Sequence, residues 1–196
     1  MLQYLSSSLP QIKDPTAVGL AIIFHDWEYI PHSPPRFNEE QSIVHFEVFA
    51  TELNLPEQLV MTVKRYIKAT IKHELDGEED ENDSDLKLFL DFDLEVLGRE
   101  TAEYKLYSTQ IRKEYSHFVD EQYGCGRREV LGKFLQRERL FFSDGFYERF
   151  EGRARQNLQW EIGVLKGYGV EWGYDINGHR KEKGCMVTGV TDAAVG

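Results

Sequence analysis

The chain has 196 residues, 41% of them apolar and 13% aromatic, enough for one core-forming domain and too many for wholesale disorder. No apolar run approaches the roughly 18 residues of a membrane span, the best candidate, Val18 to Phe24, being interrupted by Gly19. The formal charge is −11, but eight acids fall between Glu74 and Asp85 and the remainder carries only −3, so the acidity describes one segment and not the surface as a whole.

The elements read as helices nearly throughout. Asp14-Pro15 supplies an N-cap and a first-turn proline for an apolar helix running to about Tyr29. Being apolar on every side, that helix belongs in the middle of a bundle. Pro31, Pro34 and Pro35 enforce a loop, after which Asn38 caps a helix with Glu39 and Glu40 in its first turn and an apolar stripe from Ile43 to Leu53. Pro56 opens a third helix, with Val60, Val63, Ile67 and Ile71 at helical spacing. The acidic segment, read as a solvated loop, separates it from a fourth, capped by Ser84 and stopped by Gly98. Longer amphipathic helices follow at about Glu100 to Phe118, Asp120 to Glu138 and Ser143 to Leu165. From Gly167 glycines recur without apolar period, and Tyr168 to Gly196 reads as a poorly ordered tail. The expected architecture is all-α, with a helical domain over 1–166 and a glycine-rich tail over 167–196.

Three features carry chemistry. His25-Asp26 closes the apolar helix, where both side chains are expected to be buried; taken alone, this is a histidine bonded to a carboxylate. Asp93 falls on the stripe of Leu86, Phe89, Leu90, Val96 and Leu97, whereas Asp91 shares its side with Lys87 and Glu95. A carboxylate on an apolar face costs several kcal/mol unless it is paired or bound to a metal, against a helix-propensity term of only about 0.5 kcal/mol. A cation should therefore meet Asp93, either Arg or Lys or a metal. His73 ends the third helix, where a histidine commonly complements the dipole. His32, His45, His117 and His179 stay in the background. Together, His25, Asp26 and Asp93 offer mixed nitrogen and oxygen ligands suited to a divalent first-row metal.

At these residues the chain resembles the HD superfamily of metal-dependent phosphohydrolases, in a small single-domain branch. The resemblance runs to about Leu165 and rests on ordered blocks. These are Ile23-Phe24-His25-Asp26 with Tyr29, Asn38-Glu39-Glu40 with Ser42, Thr70 with His73, and Phe89 to Leu94 with Leu97-Gly98. Downstream come Ile111-Arg112 with Glu114-Tyr115, Gly126-Arg127 with Val130-Leu131, and Ala154-Arg155 with Asn157-Leu158. The resemblance implies an HD-like helical bundle holding a metal through a His, His-Asp, Asp pattern. His25 and Asp26 match the doublet, Asp93 the final aspartate, and His73 a histidine that faces substrate phosphate or completes the site. The pattern's first histidine has no counterpart among the 24 residues before His25. That departure leads to the expectation of an N-terminally incomplete domain, or of a chain that has lost one ligand.

The implied activity is hydrolysis of a phosphate monoester or nucleotide with a divalent ion, Mn, Fe, Co, Mg or Zn. Glu39 or Glu40 would handle the proton of the attacking water, and Asn38 lies beside them; the ordinary role of both acids is to complement the helix dipole. Arg112 is the phosphate-binding candidate, while Arg127 and Arg155, like Arg112, also suit pairing with Glu129, Glu151 and Glu114. Gly126 to Arg139 holds five bases and two acids, a poor nucleic-acid footprint. The alternative is a non-catalytic helical binding or structural protein related to such enzymes. Cys125 and Cys185 make no disulfide framework, and Met1 to Leu9 lacks a basic n-region; together these lead to the expectation of a cytoplasmic protein and a small phosphorylated partner, with neither membrane nor nucleic acid.

Overall fold

The computed structural model describes residues 1–167 together with 172–174 and 180–182. Leu2–Ser8 forms α1 and passes into a 3-10 turn at Leu9–Gln11. Asp14 accepts a hydrogen bond from the Ala17 N–H at 2.9 Å and Pro15 fills the first turn, so α2 spans Pro15–Phe24. It ends short of Tyr29, with His25 as its C-cap. Ala17, Val18, Ala21, Ile22 and Phe24 are buried, as a central helix requires, but Ile23 is exposed.

The third helix starts differently from the expectation. α3, Phe37–Glu52, has Arg36 at its N-cap in the left-handed region, at φ 70°. Asn38 is not the cap. Its side chain accepts from the Ile30 N–H at 3.0 Å and the Ser33 hydroxyl at 3.1 Å, and donates to the Ile30 carbonyl at 3.3 Å. Asn38 thus pins the proline loop, whose backbone has few partners of its own. α4, Glu57–Ala69, follows Pro56 and buries Val63, Tyr66 and Ile67.

The acidic segment is more than solvated surface. It holds a one-turn helix, α5 at Glu78–Glu81, before α6 at Ser84–Leu94. Asp83, not Ser84, caps α6 by accepting from the Asp85 and Leu86 N–H groups at 3.0 and 3.1 Å. Asp80 and Asp83 pair with Arg65 of α4. Asp85 accepts from the Lys13 and Asp14 N–H groups, tying the start of α2 to α6. Backbone donors and a guanidinium spread along other elements explain why these acids turn inward.

A 3-10 turn at Glu95–Gly98 leads to α7 (Thr101–Glu114), α8 (Asp120–Gln136) and α9 (Asp144–Leu165). Among the described residues the body is all-α, as expected, and no helix is long and apolar enough to cross a membrane. Beyond it, β1 (Trp172–Tyr174) and β2 (Arg180–Glu182) pair antiparallel with Gly173 opposite Lys181. The rest of the expected glycine-rich tail lies outside the described residues. Cys125 lies on α8; Cys185 lies outside the described residues.

Two apolar clusters meet along α6. One joins α2, α3 and α4 to Leu86, Leu88, Phe89, Leu90 and Phe92, and the other joins α7, α8 and α9 to Leu94, Val96 and Leu97. Tyr4 and Phe146 touch both. α9 grips the 3-10 turn closely: Asn157 donates to the Leu97 and Arg99 carbonyls at 2.8 and 2.9 Å. A Cβ on Gly98 would stand 2.6 Å from Phe150 Cβ, so only glycine lets the two backbones approach so far. Within the second cluster Arg127 is fully buried and donates to Glu161 at 2.9 Å, and Tyr104 donates to the same carboxylate.

Candidate functional site

Asp93 occupies the junction of the two clusters. It leaves α6 where that helix passes from the first core to the second, and it is 7% exposed. Burial of a carboxylate there demands partners, and two histidines from other elements provide them. His73 Nε2 lies 2.9 Å from Asp93 Oδ2, and His25 Nε2 lies 3.4 Å from Oδ1. Among the described residues Asp93 is thus met by two imidazoles and by neither Arg nor Lys. His25 also stands 3.3 Å from Asp26 Oδ2. His25 is buried as expected, but the Asp26 side chain is 46% exposed, which puts Asp26 at the mouth of the site and Asp93 at its floor.

Local structure fixes each group. His25 is the C-cap of α2, and its Nδ1 meets the Ile22 carbonyl at 3.0 Å, so that nitrogen carries the proton and Nε2 faces the carboxylates. The edge of the His25 ring packs on Phe89 of α6. His73 adopts φ 52° just after α4, a conformation that costs about 1 kcal/mol or more in a non-glycine residue and persists only when surroundings enforce it. Arg137 enforces it from the end of α8, donating to the His73 carbonyl at 2.7 Å and also to that of Lys72. Among the described residues the buried Nδ1 of His73 has no hydrogen-bond partner. Arg137 was missed by the sequence reading, because nothing local marks a guanidinium that acts on carbonyls 64 positions away.

The charges are strongly coupled. Burial works against a charged His25, yet Asp93, and then Asp26, push its pKa up to about 9. Burial alone would raise Asp93, but His25 and His73 hold it well below the usual carboxylate range. At Asp26 burial, together with the Asp93 charge, raises the pKa and His25 opposes it. Glu39, buried in the first turn of α3, is raised by burial and by the neighbouring Asp26 and Glu40 charges, with its own backbone N–H and His73 opposing. One carboxylate is kept ionised while two neighbours are pushed toward holding protons. Such divergence is what acid–base sites require.

The remaining candidates divide. Glu39 faces the cluster, whereas Glu40 is exposed. Asn38 serves the proline loop, as above. Arg112 is spent on the α7–α8 connection, donating to the Tyr115 and Phe118 carbonyls and to Asp120. Arg127 pairs with Glu161 and not Glu129. Arg155 pairs with Glu151 and ties α9 to the carbonyls ending α8. Asp91, read as outward-facing, is fully buried and accepts from the Phe142 and Ser143 N–H groups at the start of α9.

Among the described residues no group of three or more His, Cys, Asp or Glu side chains stands ready to hold a metal ion; the donors are engaged with one another. Their chemistry nevertheless fits one. Ligands bound at roughly 2.0–2.2 Å to a common ion lie about 3 Å apart, close to the 3.3 and 3.4 Å separating His25 Nε2 from its two carboxylates. The imidazole presents the nitrogen left free by its Ile22 bond. Compared with models of known families, with curated proteins and with solved structures, the chain finds no match.

Proposed function

We propose that this site makes the protein a metal-dependent hydrolase of phosphate esters, of the HD type. One observation carries the reading: two carboxylates from α6 and the end of α2 meet a single imidazole nitrogen within 3.4 Å in a largely buried setting. His25, Asp26 and Asp93 would hold a divalent ion of the Mn, Fe, Co, Mg or Zn class, which when bound supplies neutralisation of phosphate charge and a more acidic water. His73 orients Asp93 through the 2.9 Å contact and keeps it ionised. Glu39, with its raised pKa, takes the proton of the attacking water or returns one to the leaving oxygen. The half-exposed Asp26 marks where substrate enters.

A second reading, a non-catalytic binding or structural protein related to such enzymes, is favoured by the self-satisfied arrangement, since a protonated His25 already balances the carboxylates. Turnover of p-nitrophenyl phosphate with Mn²⁺, Co²⁺ or Mg²⁺, with and without chelator, separates the two. The hydrolase reading expects activity that chelator abolishes and Asp26→Asn lowers by about a hundredfold or more. An inert, metal-free chain leaves the second reading. Activity indifferent to chelator and to Asp26→Asn contradicts the first.

A further inference from the structure

A cleft of about 510 Å³ runs between the start of α3 and the end of α4, within the roughly 300–1,000 Å³ typical of small-molecule sites. It adjoins a second of about 480 Å³ that shares Arg36, Arg65, Lys68 and Ile71 with it. Its lining residues neighbour two residues of the candidate site in sequence. Arg36 lies three residues before Glu39, and Lys68 and Lys72 lie five and one residues before His73 on the α4 side.

The basic groups divide into spent and free. Lys64 pairs with Glu47, and Arg65 with Glu79, Asp80 and Asp83. Arg36, Lys68 and Lys72 are exposed and make no ion pair among the described residues. Three unpaired cations converging on one concavity repel one another and are stabilised by a multiply charged anion. Arg36 is also held at φ 70° at the α3 N-cap without capping anything, a strained placement of the kind that collects at ligand sites. Acids line the same cleft and limit the size of the anion. Glu74 is held by Arg137, and Glu79 and Asp80 by Arg65; Asp76, which also lines the cleft, makes no ion pair among the described residues and offsets part of the cationic charge, and together these carboxylates disfavour an extended polyanion.

We propose that this cleft binds a compact oligophosphate, two or more linked phosphates, with Arg36, Lys68 and Lys72 as its ligands. As the substrate class of the neighbouring site it rests on the phosphohydrolase reading, so its test reads binding and not turnover. A single phosphate would leave at least one of the three cations unmatched, whereas a phosphate chain offers charge to all three.

The experiment is calorimetric titration of metal-stripped protein with tripolyphosphate and with orthophosphate, for the natural chain, Lys68→Gln/Lys72→Gln and Arg36→Gly. All three positions are exposed, and glycine relieves the strain at 36, so the variants keep the thermal unfolding of the parent. Tripolyphosphate should bind more tightly than orthophosphate and weaken about tenfold or more in each variant, and raised salt should weaken it further. No tripolyphosphate binding, binding no tighter than orthophosphate, or binding unchanged in the variants overturns the inference. A chain that binds this way yet hydrolyses no ester keeps the cleft and removes the phosphohydrolase reading; a chain that hydrolyses but fails to bind does the reverse.

Discussion

His73 Nε2 and Asp93 Oδ2 stand 2.9 Å apart although 20 residues separate them. The contact joins the strained turn after α4 to the end of α6 and leaves the other Asp93 oxygen to His25. Such an orienting partner typically changes metal affinity about 10–100-fold. His73→Gln is therefore expected to weaken Mn²⁺ binding by that factor, which titration followed by electron paramagnetic resonance would measure. Unchanged affinity would show that Asp93 needs no second partner.

The His25 cluster makes metal-free stability depend on pH in a definite direction. A folded-state pKa of about 9 against about 6.5 unfolded means that the native state holds more protons between these values. Stability from His25 is then fully present below about pH 6.5 and is lost as pH rises through 9. Urea unfolding in chelator should lose at most about 3 kcal/mol between pH 6 and 9.5, and His25→Gln should flatten that loss. Equal losses in both proteins would mean that another group titrates.

Gly98 allows α9 to lie against the 3-10 turn after α6. A methyl group there meets Phe150 Cβ at 2.6 Å, and Phe150 is buried in the second core with little room to retreat. Gly98→Ala should cost about 1–3 kcal/mol, read as a lower urea midpoint. Because the turn follows directly from Asp93, metal affinity should fall as well.

The fully buried Arg127–Glu161 pair is a structural partnership. Arg127→Met leaves an uncompensated buried carboxylate and should destabilise by about 3–5 kcal/mol, while Arg127→Met with Glu161→Leu should recover most of that loss. Chemical denaturation of the three proteins checks this. A double variant as unstable as the single one would show that Tyr104, which also bonds Glu161, has lost more than the pair supplied.

Much of this was legible in the sequence because it was local. Asp14-Pro15, Pro56 and the apolar stripes determine where α2 and α4 begin and which faces they bury, and the stripe argument put Asp93 inside. What failed depended on distant chain. Asp91 belongs to a helix whose residues are nearly all buried, because α9 begins against its outer side, and i±3 or i±4 spacing cannot report that. Asn38 looked like a cap because its partners, Ile30 and Ser33, come from a loop without periodicity. His73 reads from the sequence as the end of α4, but that helix stops at Ala69 and His73 follows in a turn whose left-handed backbone is held by Arg137. Arg112 reads as a phosphate ligand or a partner of Glu114, whereas the carbonyls it binds belong to the turn that follows its own helix.

The most direct measurement is calorimetric titration of chelator-treated protein with Mn²⁺, for the natural chain and for Asp93→Asn, with circular dichroism confirming that both are folded. The account predicts about one ion bound per natural chain and binding lost in the variant. A natural chain that takes up no divalent ion, or a variant that binds as tightly as its parent, would contradict it.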